Sequence, residues 1–512
     1  MQSLRAWLTA HDVHLDPRLD LVQRPADGGG CSVWANADVP DGVTVARIPK
    51  RLVLSHRSSS LSALLSPSNP LTRALHAAPP PLRLAVHVLH ELRLGAASKW
   101  ATYFAFCPPI AADDGPLAVP IGVLWDDDSD TKAWTRGTQL EKELRRAEIN
   151  KQTLTSFYHS LVHPLLATLP PQFLAPSLPL FLHAYLLVST RAFHVDSTGY
   201  HSLALVPLAD VFNHEQEAVH NCQFVSDSWV CGECGAVGEC EHDQDGSSID
   251  AEALGGRGGS SEREKDDEDT CDLVSLLPIS AGSEALNHYG PCLSNAKLVA
   301  EYGFMLEANE WDGVELEVGD VWEVVADEGQ TRGEAVEERW RRLLDLSHRR
   351  EELFEQDHPL LAPPDSDPAA DPSLLSIDAD ARLSPALWLL LALVVSPSLS
   401  SVSNEAAAAE VAAMARSVRV LAERDAEEED GEGDGESEEV SQEHLAVLGR
   451  VGELVDRLVV SRIRAQRAST LGGGDLLEMA EKEEDPATRL AVEFLAGERL
   501  LLERVQQNWA FP

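Results

Sequence analysis

The sequence predicts an α+β protein: small β-sheets split by a helical insertion, followed by an all-α C-terminal domain. Three observations carry this reading. Strand-length apolar runs lie between residues 33 and 54, and return after residue 200. A long stretch with helical spacing separates the two groups. From about residue 310 onward, apolar residues recur mostly at helical spacing.

Residues 1–24 read as an N-terminal helix. Residues 1–20 look like a short amphipathic helix, with Leu4, Trp7 and Leu8 on one face. Gly28-Gly29-Gly30 is a turn. Val33-Trp34-Ala35, Val43 to Pro49 and Leu52-Val53-Leu54 read as short strands. The helical insertion covers about 60–200. Leu84, Val88 and Leu92 have helical spacing there, Trp100, Tyr103 and Phe104 fall on one packed face, and Phe181 to Phe193 is a further helix. Leu203 to Leu208 is again strand-like. Residues 226–270 are rich in Gly, Ser and charge and read as a loop insertion, with a linker at Gly255 to Ser261. Leu273 to Pro278 resumes a strand.

The core of mixed strands and helices thus spans 25–305, and the helical domain 310–512. In the latter, Ser384 before Pro385 and Asp485 before Pro486 are N-caps with proline at the first helical position. Leu445, Leu448, Val455, Leu458 and Ile463 form one core stripe; Leu490, Phe494, Leu501 and Val505 form another. The acidic run Glu427 to Glu439, in a loop of about 425–440, is expected to be disordered. There is no internal repeat.

Charge narrows the function. The 512 residues carry 41 Lys+Arg against 84 Asp+Glu, a formal charge of −43. Such a surface repels phosphates, so direct nucleic-acid binding is not expected. It attracts a basic partner, such as a Lys-rich protein. The longest apolar run, Pro385 to Val395, is too short to cross a bilayer, and no membrane association is expected. The start shows no secretory pattern, and eight cysteines make no disulfide framework. A reducing location, cytoplasm and/or nucleus, is expected.

Two polar segments lie some seventy residues apart. One is Pro207-Leu208-Ala209-Asp210-Val211-Phe212-Asn213-His214. The other runs from Gly282 through Asn287-His288-Tyr289-Gly290, with Ser294-Asn295-Ala296 and Tyr302-Gly303-Phe304 following. Both place amide, imidazole or phenol groups beside apolar runs, where burial demands partners. Together they point to a pre-built polar pocket.

With Thr190-Arg191-Ala192-Phe193, these segments make the chain resemble SET-domain protein methyltransferases of the Rubisco large-subunit lysine methyltransferase type. That group includes fungal ribosomal-protein lysine methyltransferases and an actin-histidine methyltransferase. The resemblance runs with gaps over 25–305 and more weakly through the helical half, which is the substrate-binding domain in that family. It implies a SET-domain β-fold and an S-adenosylmethionine-dependent protein-lysine N-methyltransferase. Its substrate would be a protein, with basicity such as that of a ribosomal protein or histone inferred from charge. Two alternatives are a protein-histidine methyltransferase and a catalytically silent SET-fold scaffold that binds proteins.

The resemblance also assigns roles. Asn213 and His214 match the pair at the cofactor adenine, and an amide offers a donor and an acceptor side by side. Arg191 matches the arginine that holds the cofactor carboxylate, which a planar guanidinium fork suits. Asp210 matches a position that orders the site. Tyr289 matches the catalytic tyrosine, and Tyr302 a second one lining the lysine channel. The family usually has Gly-x-Gly before the first strand, where backbone approaches the cofactor. Here Gly30-Cys31-Ser32 puts Ser32 at the second glycine, so cofactor contacts are assigned to Gly30 and Ser32 only.

The loop insertion holds Cys231-Gly232-Glu233-Cys234 and then Cys240-Glu241-His242. Cys231, Cys234, Cys240 and His242 could complete a tetrahedral zinc site that staples the loop, with Cys222 an alternative fourth ligand.

Overall fold

The structure, a computed structural model, describes residues 2–23, 30–109, 119–169, 176–197, 200–226, 270–326, 334–347, 358–363, 371–400, 402–430 and 440–510. The chain forms two compact units. One comprises Met1–Leu124, Glu148–Pro291 and Glu301–Gly303; the other comprises Trp125–Ala147, Cys292–Ala300 and Phe304–Pro512.

The first unit carries the small sheets. β1 (His14–Leu15), β4 (Thr44–Pro49), β8 (Thr270–Ser275) and β7 (Cys222–Val225) form one antiparallel sheet in the order β1-β4-β8-β7. β2 (Leu19–Gln23) pairs with β3 (Cys31–Ala35), and β5 (Ala192–Ser197) with β6 (Tyr200–Leu205). β4 and β8 come from opposite ends of the unit's sequence. Ala46 faces Leu273 and Ile48 faces Cys271, and all four are fully buried. Arg47 and Asp272 pair across the same strands at 3.0 Å. The core gathers Val33, Val45, Ala204, Phe212 and Ala285 around this sheet.

Two helices of the insertion, Pro80–Leu94 and Leu178–Arg191, pack on each other. Glu91 of the first helix is buried, yet its carboxylate is partnered from neighbouring turns. Its carboxylate accepts from the hydroxyls of Ser59, Ser60 and Ser98 at 2.7–3.0 Å, and from the Ser60 backbone N–H.

Some local expectations change. The first helix ends at Ala10, because Asp12 takes a left-handed φ of 59° and Val13 N–H bonds back to the Leu8 carbonyl. His14–Leu15 and Leu19–Gln23 are strands instead. Leu52-Val53-Leu54 is a 3₁₀ turn plus a single bridge from Leu54 to Leu205. The strand at Leu273 stops at Ser275, and Leu276 and Leu277 are exposed.

The second unit is mainly helical. Pro385–Val395 is a helix with nine of its eleven residues buried, including Trp388. Asn404–Asp430, Gln442–Ala465 and Pro486–Asn508 are its long helices. Ser384 and Asp485 cap as expected, accepting N–H bonds from Leu387 and Thr488. Leu448, Val455 and Leu458 are buried, whereas Leu445 is exposed near the start of its helix. Residues 427–430 of the acidic run continue a helix, and 431–439 lie outside the described residues. The helical half also holds a two-stranded ribbon, β9 (Gly313–Leu316) with β10 (Leu375–Asp378). Four-residue strands are too short to show a period in sequence. Gly313 is required in it, since a Cβ there would sit 2.6 Å from the Ile377 carbonyl oxygen. Among the described residues no helix is long and apolar enough to cross a membrane.

Candidate active site

The two polar segments of the first unit are neighbours. Asn287 N–H donates to the Asn213 carbonyl at 2.8 Å, and Glu215 N–H donates to the Asn287 carbonyl at 3.0 Å. This parallel bridge is reinforced from the side. The Asn221 amide donates to the Glu284 carbonyl and accepts from Leu286 N–H. Ala285 N–H then bonds the Val33 carbonyl, so β3 borders the same segment.

The approach to the first segment is strained. Leu208, 2% exposed, has φ 84° and ψ −43°, a conformation an L-residue adopts at a cost. The bend lets the following 3₁₀ turn, Ala209–Val211, carry Asp210 inward. There one carboxylate oxygen of Asp210 accepts from Arg191 Nη1 at 2.9 Å and from the Tyr103 hydroxyl at 2.8 Å. Arg191 ends the helix Leu178–Arg191, and its Nη1 also bonds the Asp210 carbonyl. Burial, with Asp210 next, drives the Tyr103 phenol well above its ordinary range. Burial likewise pushes the nearby Cys107 thiol up to about 12.

Tyr289 stands at the other end. Its backbone N–H donates to His214 Nδ1 at 3.2 Å, and its hydroxyl donates to the Phe212 carbonyl at 3.3 Å. Its ring stacks on His214 at 5.0 Å and meets Tyr302 at 5.4 Å. Burial raises the phenols of Tyr289 and Tyr302, the latter to about 12. Burial, with His288 alongside, lowers His214 to about 4, so its imidazole is neutral and Nδ1 is an acceptor. Gly303 turns the chain after Tyr302 at φ 80°, where a Cβ would lie 2.8 Å from Val119.

The structure therefore gathers Arg191 with Asp210, and His214 with Tyr289 and Tyr302. The Tyr289 hydroxyl bonds the carbonyl of Phe212, two residues after Asp210, which brings the two groups into one region. Asn213 joins the bridge to Asn287 through its backbone. Its side chain is exposed and donates to Glu284 at 2.6 Å. Ser32 is a strand residue paired with Val22, and its hydroxyl accepts the Trp34 indole N–H at 2.9 Å. Gly30 is exposed just before that strand. Cys231, Cys234, Cys240 and His242 lie outside the described residues. Cys222 is fully buried in β7, where desolvation lifts its thiol to about 12.

Two participants had no assigned role in the sequence. Tyr103 sits over a hundred residues upstream of Asp210, in no motif. Asn287 lies inside the quoted segment, but only its burial, at 1% exposure, distinguishes it. Among the described residues its side-chain Oδ1 and Nδ2 have no hydrogen-bond partner; nor do Asp210 Oδ1 and Arg191 Nε. Each such buried atom costs on the order of 1–3 kcal/mol until something pairs with it.

Small sheets, a helical insertion and a helical second unit are the SET-domain fold of the Rubisco LSMT type. The chain is similar to the solved SET domain of LSMT bound to lysine and AdoHcy, with a TM-score of 0.51 and 16% identity, covering 99% of this chain and 90% of that one. The structure of Rubisco LSMT bound to AdoMet gives the same TM-score and identity, with 99% and 91% covered. In sequence the chain is similar to ribosomal lysine N-methyltransferase 3 of Saccharomyces cerevisiae, 26% identical over 353 residues, 59% of this chain and 61% of the relative. It is also similar to N-lysine methyltransferase SETD6 of Rattus norvegicus, 25% identical over 306 residues, 58% of this chain and 52% of the relative. The chain thus spans less than two thirds of the length of these curated relatives. No protein-family model matches it.

Proposed function

We propose that the chain is an S-adenosylmethionine-dependent protein-lysine N-methyltransferase acting on a basic protein. The observation that carries this is the packing of Tyr289 between His214 and Tyr302, in a unit where buried atoms of Arg191, Asp210 and Asn287 lack partners among the described residues. The names of its relatives, and the lysine and AdoHcy bound by a fold neighbour, support the same reading. The residues fit the cofactor: the unpaired atoms of Arg191 and Asn287 suit a ligand rich in carboxylate and heteroatom edges.

When bound, S-adenosylmethionine supplies an electrophilic methyl group. Arg191 would hold its carboxylate, with Asp210 fixing the guanidinium. Tyr289 and Tyr302 keep their protons at neutral pH, so neither is a general base. The acceptor lysine loses its proton to water, and the phenol oxygens orient the neutral amine. Catalysis here is alignment and desolvation rather than proton abstraction by a side chain.

The net charge of −43 favours a ribosomal protein or histone as substrate, which would place the protein in the cytoplasm and/or nucleus. Zinc at Cys231, Cys234, Cys240 and His242 rests on spacing alone. Stoichiometric zinc in the purified protein, lost in Cys231→Ser, is the expected result there. For the main reading, the full chain is incubated with methyl-labelled S-adenosylmethionine and separated ribosomal proteins and histones. Label on lysine that disappears in Tyr289→Phe is expected. Label confined to histidine would replace lysine as the acceptor. No label, together with no binding of S-adenosylhomocysteine, would sink the enzyme reading.

A further inference from the structure

The carboxylate of Asp210 is shared in an uneven way. One oxygen accepts from both Tyr103 and Arg191, at 2.8 and 2.9 Å, while the other has no partner among the described residues. Tyr103 is 3% exposed and Asp210 is 6% exposed. Tyr103 belongs to the short helix Ala101–Phe104 of the helical insertion, far in sequence from every polar segment. A buried phenol hydroxyl needs an acceptor, and Phe would fill the same space without one. The choice of Tyr at this place therefore has a polar reason.

Arg191 shows what that reason is. Its Nη1 is engaged twice by Asp210, at the side chain and at the backbone carbonyl. Its Nη2 makes no hydrogen bond among the described residues and is not closed off from solvent. The guanidinium thus presents one edge to the protein and keeps the other for a ligand. A planar fork recognises a carboxylate only if its plane is fixed. A carboxylate anchored by Arg191 alone can rotate about its own χ2. A second donor on the same oxygen stops that rotation.

We propose that Tyr103 is a positioning residue of the cofactor pocket, which locks Asp210 so that Arg191 presents its outer edge to a ligand carboxylate. This rests on the methyltransferase reading. The Tyr103 hydroxyl touches no ligand; it acts through Asp210 and Arg191.

The test is calorimetric binding of S-adenosylhomocysteine to the full chain. Tyr103→Phe is expected to weaken binding on the order of tenfold, about 1.4 kcal/mol, with the KM for the protein substrate and the thermal midpoint near those of the wild type. In a double-mutant cycle, Tyr103→Phe adds little to Arg191→Lys, because both act on one contact. A purely structural Tyr103 would instead lower the thermal midpoint and leave the two effects additive, and that result overturns the proposal. Equal affinity of wild type and Tyr103→Phe also overturns it, while leaving the methyltransferase reading intact. A wild type that binds no S-adenosylhomocysteine removes both.

Discussion

Tyr289 gives its backbone N–H to His214 Nδ1 at 3.2 Å and stacks its ring on the same imidazole. The bond requires a neutral histidine, and burial supplies one by lowering His214 to about 4. His183 falls to about 4 and His87 to about 3, again through burial. The unfolded values lie near 6.5. Between these limits the unfolded chain binds more protons than the folded one, so stability rises with pH across the window. The contribution is complete above about 6.5 and is lost as pH falls towards 4. Urea unfolding midpoints should drop steeply over that range. His214→Asn, which accepts a hydrogen bond but does not titrate, should flatten part of the slope. An unchanged slope would contradict the buried neutral imidazole.

Tyr289→Phe tests the phenol itself. The ring stays, so the stack on His214 and the contact with Tyr302 persist. Only the hydroxyl is lost, together with its bond to the Phe212 carbonyl. Turnover should fall about a hundredfold, as for loss of one oriented polar group at a reacting centre. Affinity for S-adenosylhomocysteine should change less than about threefold. Because both phenols are raised by burial, no tyrosinate should form at neutral pH, and the wild-type rate should climb with pH as more acceptor amine becomes neutral. A rate profile flat across neutral pH would count against amine delivery in this form.

Asn287 offers a sharper test, because stability and function should move in opposite directions. Its amide is buried, and neither end is paired among the described residues. Replacing it with Leu removes two unsatisfied polar atoms at similar size. The free protein should be stabilised by about 1 kcal/mol, read as a higher urea midpoint. Turnover should fall, since the amide is then absent from the pocket. A destabilised Asn287→Leu with normal turnover would make the amide structural.

How much of this was legible in the sequence depends on the residue. The order of strands, insertion and helices followed from apolar spacing, and the proline-led helices from their caps at Ser384 and Asp485. The first helix was read too long because one left-handed residue, Asp12, ends it and carries no strong sequence signal. The quoted polar segments did meet, through the Asn213–Asn287 bridge, which is a long-range pairing that no local period can encode. The Asn213 side chain, read as the adenine-facing amide, is exposed and bonds Glu284. Asn287 is buried two residues before Tyr289, and only packing separates the two asparagines. Tyr103 was visible only as a core aromatic, since its hydroxyl partner lies 107 positions away.

Asn295 shows the opposite use of an amide. It lies in the second unit and is 4% exposed. Its Nδ2 donates to the Leu306 carbonyl and to Asp312 Oδ2, and its Oδ1 accepts from Leu306 N–H and from the Asn309 amide. Its backbone N–H donates to the other oxygen of Asp312 at 2.6 Å. Burial raises Asp312 to about 6, and the bonds from Asn295 oppose that rise. Every polar atom of this amide is therefore satisfied by the chain, leaving nothing for a ligand. Asn295→Ala should leave Leu306 N–H without its partner and deprive Asp312 of a donor. The expected loss is about 3 kcal/mol, measured as a lower urea midpoint at unchanged slope. Affinity of the folded fraction for S-adenosylhomocysteine should stay near the wild-type value. A stable Asn295→Ala with weakened affinity would instead move Asn295 from scaffold to binding site, and the contrast with Asn287 would fail.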